Sequence, residues 1–222
     1  HDRQTRKAQD MTTLRVCFIG DSHTLGTGDE EFLGWPGRVM HRERAAGHDV
    51  TMYNLGIRGD TTTMIEPRWR AEAEARLPAE NPGALVFSFG CNDMAMQEGV
   101  LRNSPEEAVA SATRMITEAK AWLPTLWLGP LPVNDDDMPF SSAPGRDRYL
   151  SSSRNAQLSD KFQHVAEQLG VPFLDLFTLT ASDPSWMDHY AQGDGVHTKS
   201  GGYAAIAEHV IGWDAWRRWF DE

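Results

Sequence analysis

Five short apolar runs, each closing on Gly or on a polar cluster, recur along this chain: residues 14–20 (LRVCFIG), 50–55 (VTMYNL), 84–89 (ALVFSF), 125–129 (TLWLG) and 171–176 (VPFLDL). A strand wetted on one side alternates apolar and polar residues, whereas these runs are apolar on both faces and so fit strands covered on both sides. Between them the period becomes helical. Over residues 105–123, Val109, Ala112, Met115, Ile116, Ala119 and Leu123 share one face. Ser104-Pro105-Glu106-Glu107 supplies a cap, a proline for the first turn and acids near the positive end of the dipole. Residues 149–169 repeat the pattern with Leu150, Leu158, Phe162, Val165 and Leu169, and Gly170 stops them; residues 202–212 do so with Tyr203, Ile206, Ala207, Val210 and Ile211. A helix expected over residues 61–77 holds Pro67, which should kink or split it. Strands alternating with helices imply right-handed βαβ units, an α/β class and a three-layer α/β/α sandwich.

Length limits the count of such units. The chain has 222 residues, enough for one α/β domain, which is expected to span residues 12–222. The first ten residues, HDRQTRKAQD, are polar, so residues 1–11 are set aside as a tag or disordered leader, with Met11 as the natural start. Acids outnumber bases by 32 to 21, a net charge of −11 without a basic run, which argues against nucleic acid or an anionic membrane surface as partner. No apolar run approaches the roughly 18 residues of a membrane helix, so no integral membrane association is expected. Two cysteines, Cys17 and Cys91, are too few for a disulfide framework and read as buried thiols in a reducing compartment, which points to the cytoplasm.

Ligands of open parallel sheets bind beyond the carboxyl ends of the strands. Gly20-Asp21-Ser22-His23 follows the first strand, Gly56-Ile57-Arg58-Gly59-Asp60 the second and Gly90-Cys91-Asn92-Asp93 the third, while Asp194-Gly195-Val196-His197 precedes the last helix. These are the residue types that acyl transfer needs. A hydroxyl is a poor nucleophile until a base removes its proton, and the base must be oriented, commonly by a carboxylate. The developing oxyanion needs donors already in place. Ser22, at a strand-to-helix turn, can present its Oγ above the sheet. Asp194 and His197, three residues apart, can meet within one turn. Gly56 lets its N–H approach a ligand closely, and Asn92 can donate from its amide.

The ordered set GDSH, NLG, GxND and DGVH resembles the four sequence blocks of the SGNH hydrolase family, also called GDSL lipases and esterases, over residues 14 to about 212. The resemblance implies a flavodoxin-like, five-stranded parallel sheet of order 2-1-3-4-5. It also implies a serine esterase acting on small carboxylic esters or thioesters through an acyl-enzyme. In that reading Ser22 is the nucleophile, His197 the general base and Asp194 the orienting acid. The backbone N–H groups of Ser22 and Gly56 and the Asn92 amide form the oxyanion hole, and neither metal nor cofactor takes part. His23 stands where the family name has Leu.

A different class, a non-catalytic flavodoxin-like module holding FMN or phosphate on GDSHTLGTG, is the alternative; it leaves Asn92, Asp194 and His197 unexplained. Other conspicuous residues have plainer readings. His23 neighbours Ser22 and should point elsewhere, and the Asp188–His189 pair reads as structural. Asp135, Asp136 and Asp137 lack the glycine and distal Glu of a calcium loop. Trp213, Trp216 and Phe220 share a helical face that suits the core, with a homo-oligomer interface as the alternative. Arg58 suits either a salt bridge or a polar or acidic substrate. The long irregular stretch at residues 130–148 is of a length usually tied to function or mobility.

Overall fold

The computed structural model describes residues 11–191 and 193–220, so all of the expected leader but Met11 lies outside the described residues. Its strands are β1 (Thr13–Gly20), β2 (Asp49–Gly56), β3 (Gly83–Ser88), β4 (Met96–Gln97), β5 (Val100–Leu101), β6 (Thr125–Leu128), β7 (Phe140–Ser141), β8 (Asp147–Arg148) and β9 (Phe173–Leu174). Its helices are α1 (Ser22–Leu25), α2 (Gly34–Ala46), α3 (Thr62–Ile65), α4 (Trp69–Glu74), α5 (Pro105–Trp122), α6 (Ser152–Leu169), α7 (Leu176–Ala181), α8 (Ser200–Ile211) and α9 (Asp214–Arg217). The main sheet runs β2-β1-β3-β6-β9 with every pair parallel, which is the expected order 2-1-3-4-5. Two hairpins, β4–β5 and β7–β8, lie outside it.

The doubly apolar strands divide their residues between two cores, as side chains alternating across a covered sheet must. Val16 and Phe18 of β1, Ala84 and Val86 of β3, and Leu126 and Leu128 of β6 face α2, α8 and α9. Cys17 and Ile19, Leu85 and Phe87, and Trp127 face α4, α5 and α6. A one-residue slip of β1 would exchange its two sets, so register is strongly specified. The cap foreseen at Ser104 is part of a full capping box, with Ser104 accepting from Glu107 N–H and Glu107 reaching back to the Ser104 N–H. Pro67 falls between α3 and α4 and splits the expected helix.

Helix α2 has no counterpart in the expectations above. It starts at Leu33 without a side-chain cap, and its GRVMHRERAA run carries a narrow apolar stripe; it is held by burying Trp35, Val39 and Met40. The stripe includes the fully buried Glu43, which accepts from Trp216 Nε1 at 2.9 Å and Arg217 Nη1 at 2.8 Å. These two charge-assisted bonds offset the desolvation of the carboxylate. They also fix the C-terminal aromatics: Trp216 and Phe220 are buried in the core, with Trp213 and Trp219 packed against it. The fifth strand shrinks to Phe173–Leu174, because Pro172 removes a ladder donor and Asp175 already caps α7 by accepting from Thr178 N–H. Among the described residues no helix is long and apolar enough to cross a membrane.

Candidate active site

The carboxyl edge of the sheet is where the chemistry-bearing residues meet. Asp21 follows β1 and caps α1, its Oδ1 accepting from His23 N–H at 3.0 Å. That cap starts a helix at Ser22, so the Ser22 N–H is one of the donors that a helix start leaves without an intrahelical partner. Ser22 Oγ lies 2.8 Å from His197 Nε2, and His197 Nδ1 lies 2.8 Å from Asp194 Oδ2. The other Asp194 oxygen accepts from the backbone N–H groups of His197 at 2.7 Å and Val196 at 3.0 Å. The Asp-x-x-His spacing therefore folds into a tight turn closed on one carboxylate.

The electrostatics follow from this geometry. Burial alone would raise the Asp194 carboxyl, but the His197 ring and the two backbone donors outweigh it and hold the group well below the usual carboxylate range. For His197, burial disfavours the cation; the Asp194 hydrogen bond opposes this and the His23 charge adds to it, and the net shift is below 6.5. With Nδ1–H donated to Asp194, the neutral ring turns the lone pair of Nε2 toward Ser22.

Asn92 lines the same cavity as Ser22 and His197. One of its amide hydrogens goes to Asp21 Oδ2 at 3.3 Å, which leaves the second for a ligand. Behind it Asp93 is fully buried and accepts from Thr62 N–H, Thr62 Oγ1 and Asn103 Nδ2. Burial pushes its carboxyl up to about 6 against those donors.

Gly56 ends β2 beside the start of α1. Its N–H donates to Asn54 Oδ1 at 3.0 Å, and it is absent from the cavity wall. A Cβ on Gly56 would come within 2.4 Å of Leu25 N and 2.7 Å of the Asp21 carbonyl oxygen, so the glycine allows α1 to lie directly on the end of β2. Gly59, with φ +81°, lines the cavity. Gly56→Ala is accordingly expected to lower unfolding free energy by about 1–3 kcal/mol, the usual cost of overpacking. Urea melts check it; a midpoint unchanged from wild type would contradict the close approach.

Several residues that matter here were missed from sequence. Asp21 serves both the helix start and Asn92. Arg68 ties the ends of two strands, donating to the carbonyls of Gly20 and Leu55 at 2.9 and 3.0 Å and pairing with Asp60 and Glu72. His23 is buried against His197, with ring centroids 5.3 Å apart and its Nε2 on the Val196 carbonyl at 2.9 Å, and so holds the loop that carries His197. Residues 130–148 form a wall of the cavity: Phe140, Ser142, Ala143, Arg146 and Arg148 line it, and the Phe140 ring packs edge-on to His197 at 5.5 Å. Asp135 accepts from Ser152 N–H at the start of α6, a structural use. His189 packs on Trp186 and Asp188 accepts the Ala191 N–H in the same turn, so the structural reading of the Asp188–His189 pair agrees with the fold.

The segment after β1 does not offer a phosphate cradle. The N–H groups of Leu25, Gly26 and Thr27 are spent on the carbonyls of Asp21 and Ser22. A parallel three-layer sheet with hydroxyl, imidazole and carboxylate in hydrogen-bonded series at its carboxyl edge belongs instead to the hydrolases of ester bonds. The chain is a member of the GDSL-like lipase/acylhydrolase family, whose model matches residues 18–205. Among solved structures, it is similar to a lipase/acylhydrolase from Enterococcus faecalis, with TM-score 0.72 and 22% identity over 90% of this chain and 94% of that one. It is also similar to an acetylxylan esterase from Geobacillus stearothermophilus (TM-score 0.66, 20% identity, 93% of this chain and 98% of that one). A third is the psychrotrophic esterase EstA from Pseudoalteromonas sp., with TM-score 0.66 and 15% identity over 94% of this chain and 99% of that one. At these identities the likeness is one of fold. No curated protein sequence matches.

Proposed function

We propose that residues 12–222 act as one serine esterase unit that cleaves small carboxylic esters or thioesters through an acyl-enzyme on Ser22. The observation that carries this reading is the unbroken series Ser22 Oγ, His197 and Asp194 at 2.8 Å per link. As Ser22 Oγ attacks the carbonyl carbon, its proton passes to His197 Nε2. The bond to the leaving alcohol or thiol then breaks, and His197 returns the proton to that group. Water, activated by the same nitrogen, attacks the acyl-enzyme and releases Ser22. Asp194 stabilises the imidazolium that forms at each step. Donors to the oxyanion are the Ser22 N–H, the free amide hydrogen of Asn92 and the Gly56 N–H, which otherwise rests on Asn54 Oδ1.

A cavity of about 290 Å³ suits a short acyl group, and one structural neighbour is an acetylxylan esterase. Two buried free cysteines support the cytoplasm as its place of action. A fluorophosphonate should label Ser22, and a 4-nitrophenyl ester series should peak in kcat/KM at short acyl chains. Absence of labelling together with absence of turnover across the series would reject the esterase reading.

The pH profile is a second check. His197 accepts the Ser22 proton only when neutral, and its pKa lies below 6.5, so the base stays competent under mildly acidic conditions. The acid limb of kcat/KM is expected to have its midpoint below 6.5, falling as pH drops through the His197 pKa. An acid limb centred above 7 would assign the base to a different group.

A further inference from the structure

We propose that the ester cleaved here carries an oxyanion, a carboxylate or a phosphate, which the arginines of the cavity clamp while Ser22 attacks. The proposal rests on the esterase reading and names the substrate class for that site. Arg58, Arg146 and Arg148 line the cavity beside Ser22, Asn92 and His197, and no Asp or Glu does. This concentration of positive charge runs against the chain as a whole, in which acids exceed bases by 32 to 21.

Elsewhere several arginines meet carboxylates: Arg38 with Asp29, Arg68 with Asp60, Arg114 with Glu66 and Arg217 with Glu43. Arg58, Arg146 and Arg148 make no ion pair among the described residues. Arg148 is the least compensated. Its Nε is buried without a hydrogen-bond partner, and Nη1 lies 3.0 Å from where a Cβ on Gly59 would stand. Gly59 thus admits the guanidinium to the cavity wall. Burial and the neighbouring Arg146 push the Arg148 pKa down, and burial followed by Arg148 does the same to Arg102. Like charges so gathered destabilise one another until an anion arrives. A guanidinium fork matches the paired oxygens of carboxylate and phosphate, so the clamp also orients what it binds.

Three matched ester pairs test the proposal: 4-acetoxybenzoate against its methyl ester, mono-4-nitrophenyl glutarate against its methyl ester, and 4-acetoxyphenyl phosphate against 4-methoxyphenyl acetate. The first two place a carboxylate on the alcohol or acyl side, and the third tests phosphate. In at least one pair the charged member should exceed the neutral one in kcat/KM by about tenfold or more, the scale of one charge-assisted hydrogen bond. That ratio should fall toward one in Arg148→Ala and Arg146→Ala and at high salt. If Arg148→Ala does not fold, Arg58→Ala and Arg146→Ala, both at exposed positions, carry the same comparison. Neutral members cleaved as fast as charged ones in all three pairs would overturn the anion clamp while leaving the esterase intact. So would a ratio that persists in every arginine variant. Failure of every ester, with no fluorophosphonate label on Ser22, would remove the esterase reading and the clamp with it.

Discussion

Ser22→Ala is expected to lower kcat/KM for a 4-nitrophenyl ester by a factor of about 10⁴ or more, with little change in the urea midpoint. The size of the effect follows from what the hydroxyl does. In the proposed mechanism its Oγ is the atom that bonds to the acyl carbon, and His197 and Asp194, hydrogen-bonded in series behind it, have nothing to activate once it is gone. The three act as a unit, so His197→Ala in the Ser22→Ala background should cost little more. Stability should persist because the helix start depends on the Asp21 cap, which the substitution leaves in place. Turnover within tenfold of wild type would exclude Ser22 as nucleophile.

Asn92→Ala is expected to reduce kcat by roughly 10²–10³, the cost of one preorganised oxyanion donor, with a much smaller change in KM. The amide faces the cavity on one side and is held on the other by Asp21 Oδ2, so its orientation is set before substrate arrives. Asn92→Ala also leaves Asp21 without that donor, and a modest loss of stability should accompany the loss in rate. A variant altered only in KM would make Asn92 a substrate-binding residue and would leave the oxyanion to the backbone donors.

The two-sided core was legible because Val16, Cys17, Phe18 and Ile19 are all apolar, a run that fits a strand covered on both faces, whereas the strand order followed from the family resemblance and not from polarity. Ser22, Asn92, Asp194 and His197 were legible because each sits in a short block at a predictable edge of the sheet. Helix α2 was not, since its stability comes from tertiary burial of Trp35 and from Glu43 meeting Trp216, partners distant in sequence. The surroundings of Gly56 could not be read either, since they depend on the Asn54 side chain and on the position of α1. The role of residues 130–148 was hidden because their composition reads as a solvated loop, while Arg146 and Arg148 gain their meaning from the wall they share with Ser22.

The hydrogen bond between Ser22 and His197 joins residues 175 positions apart. Loop closure over such a span costs entropy that only the finished sheet and its helices can repay. In the proposed mechanism turnover is therefore a late signal in folding: β1 lies between β2 and β3 and needs both to form, and Ser22 lacks its base until the segment before α8 has docked.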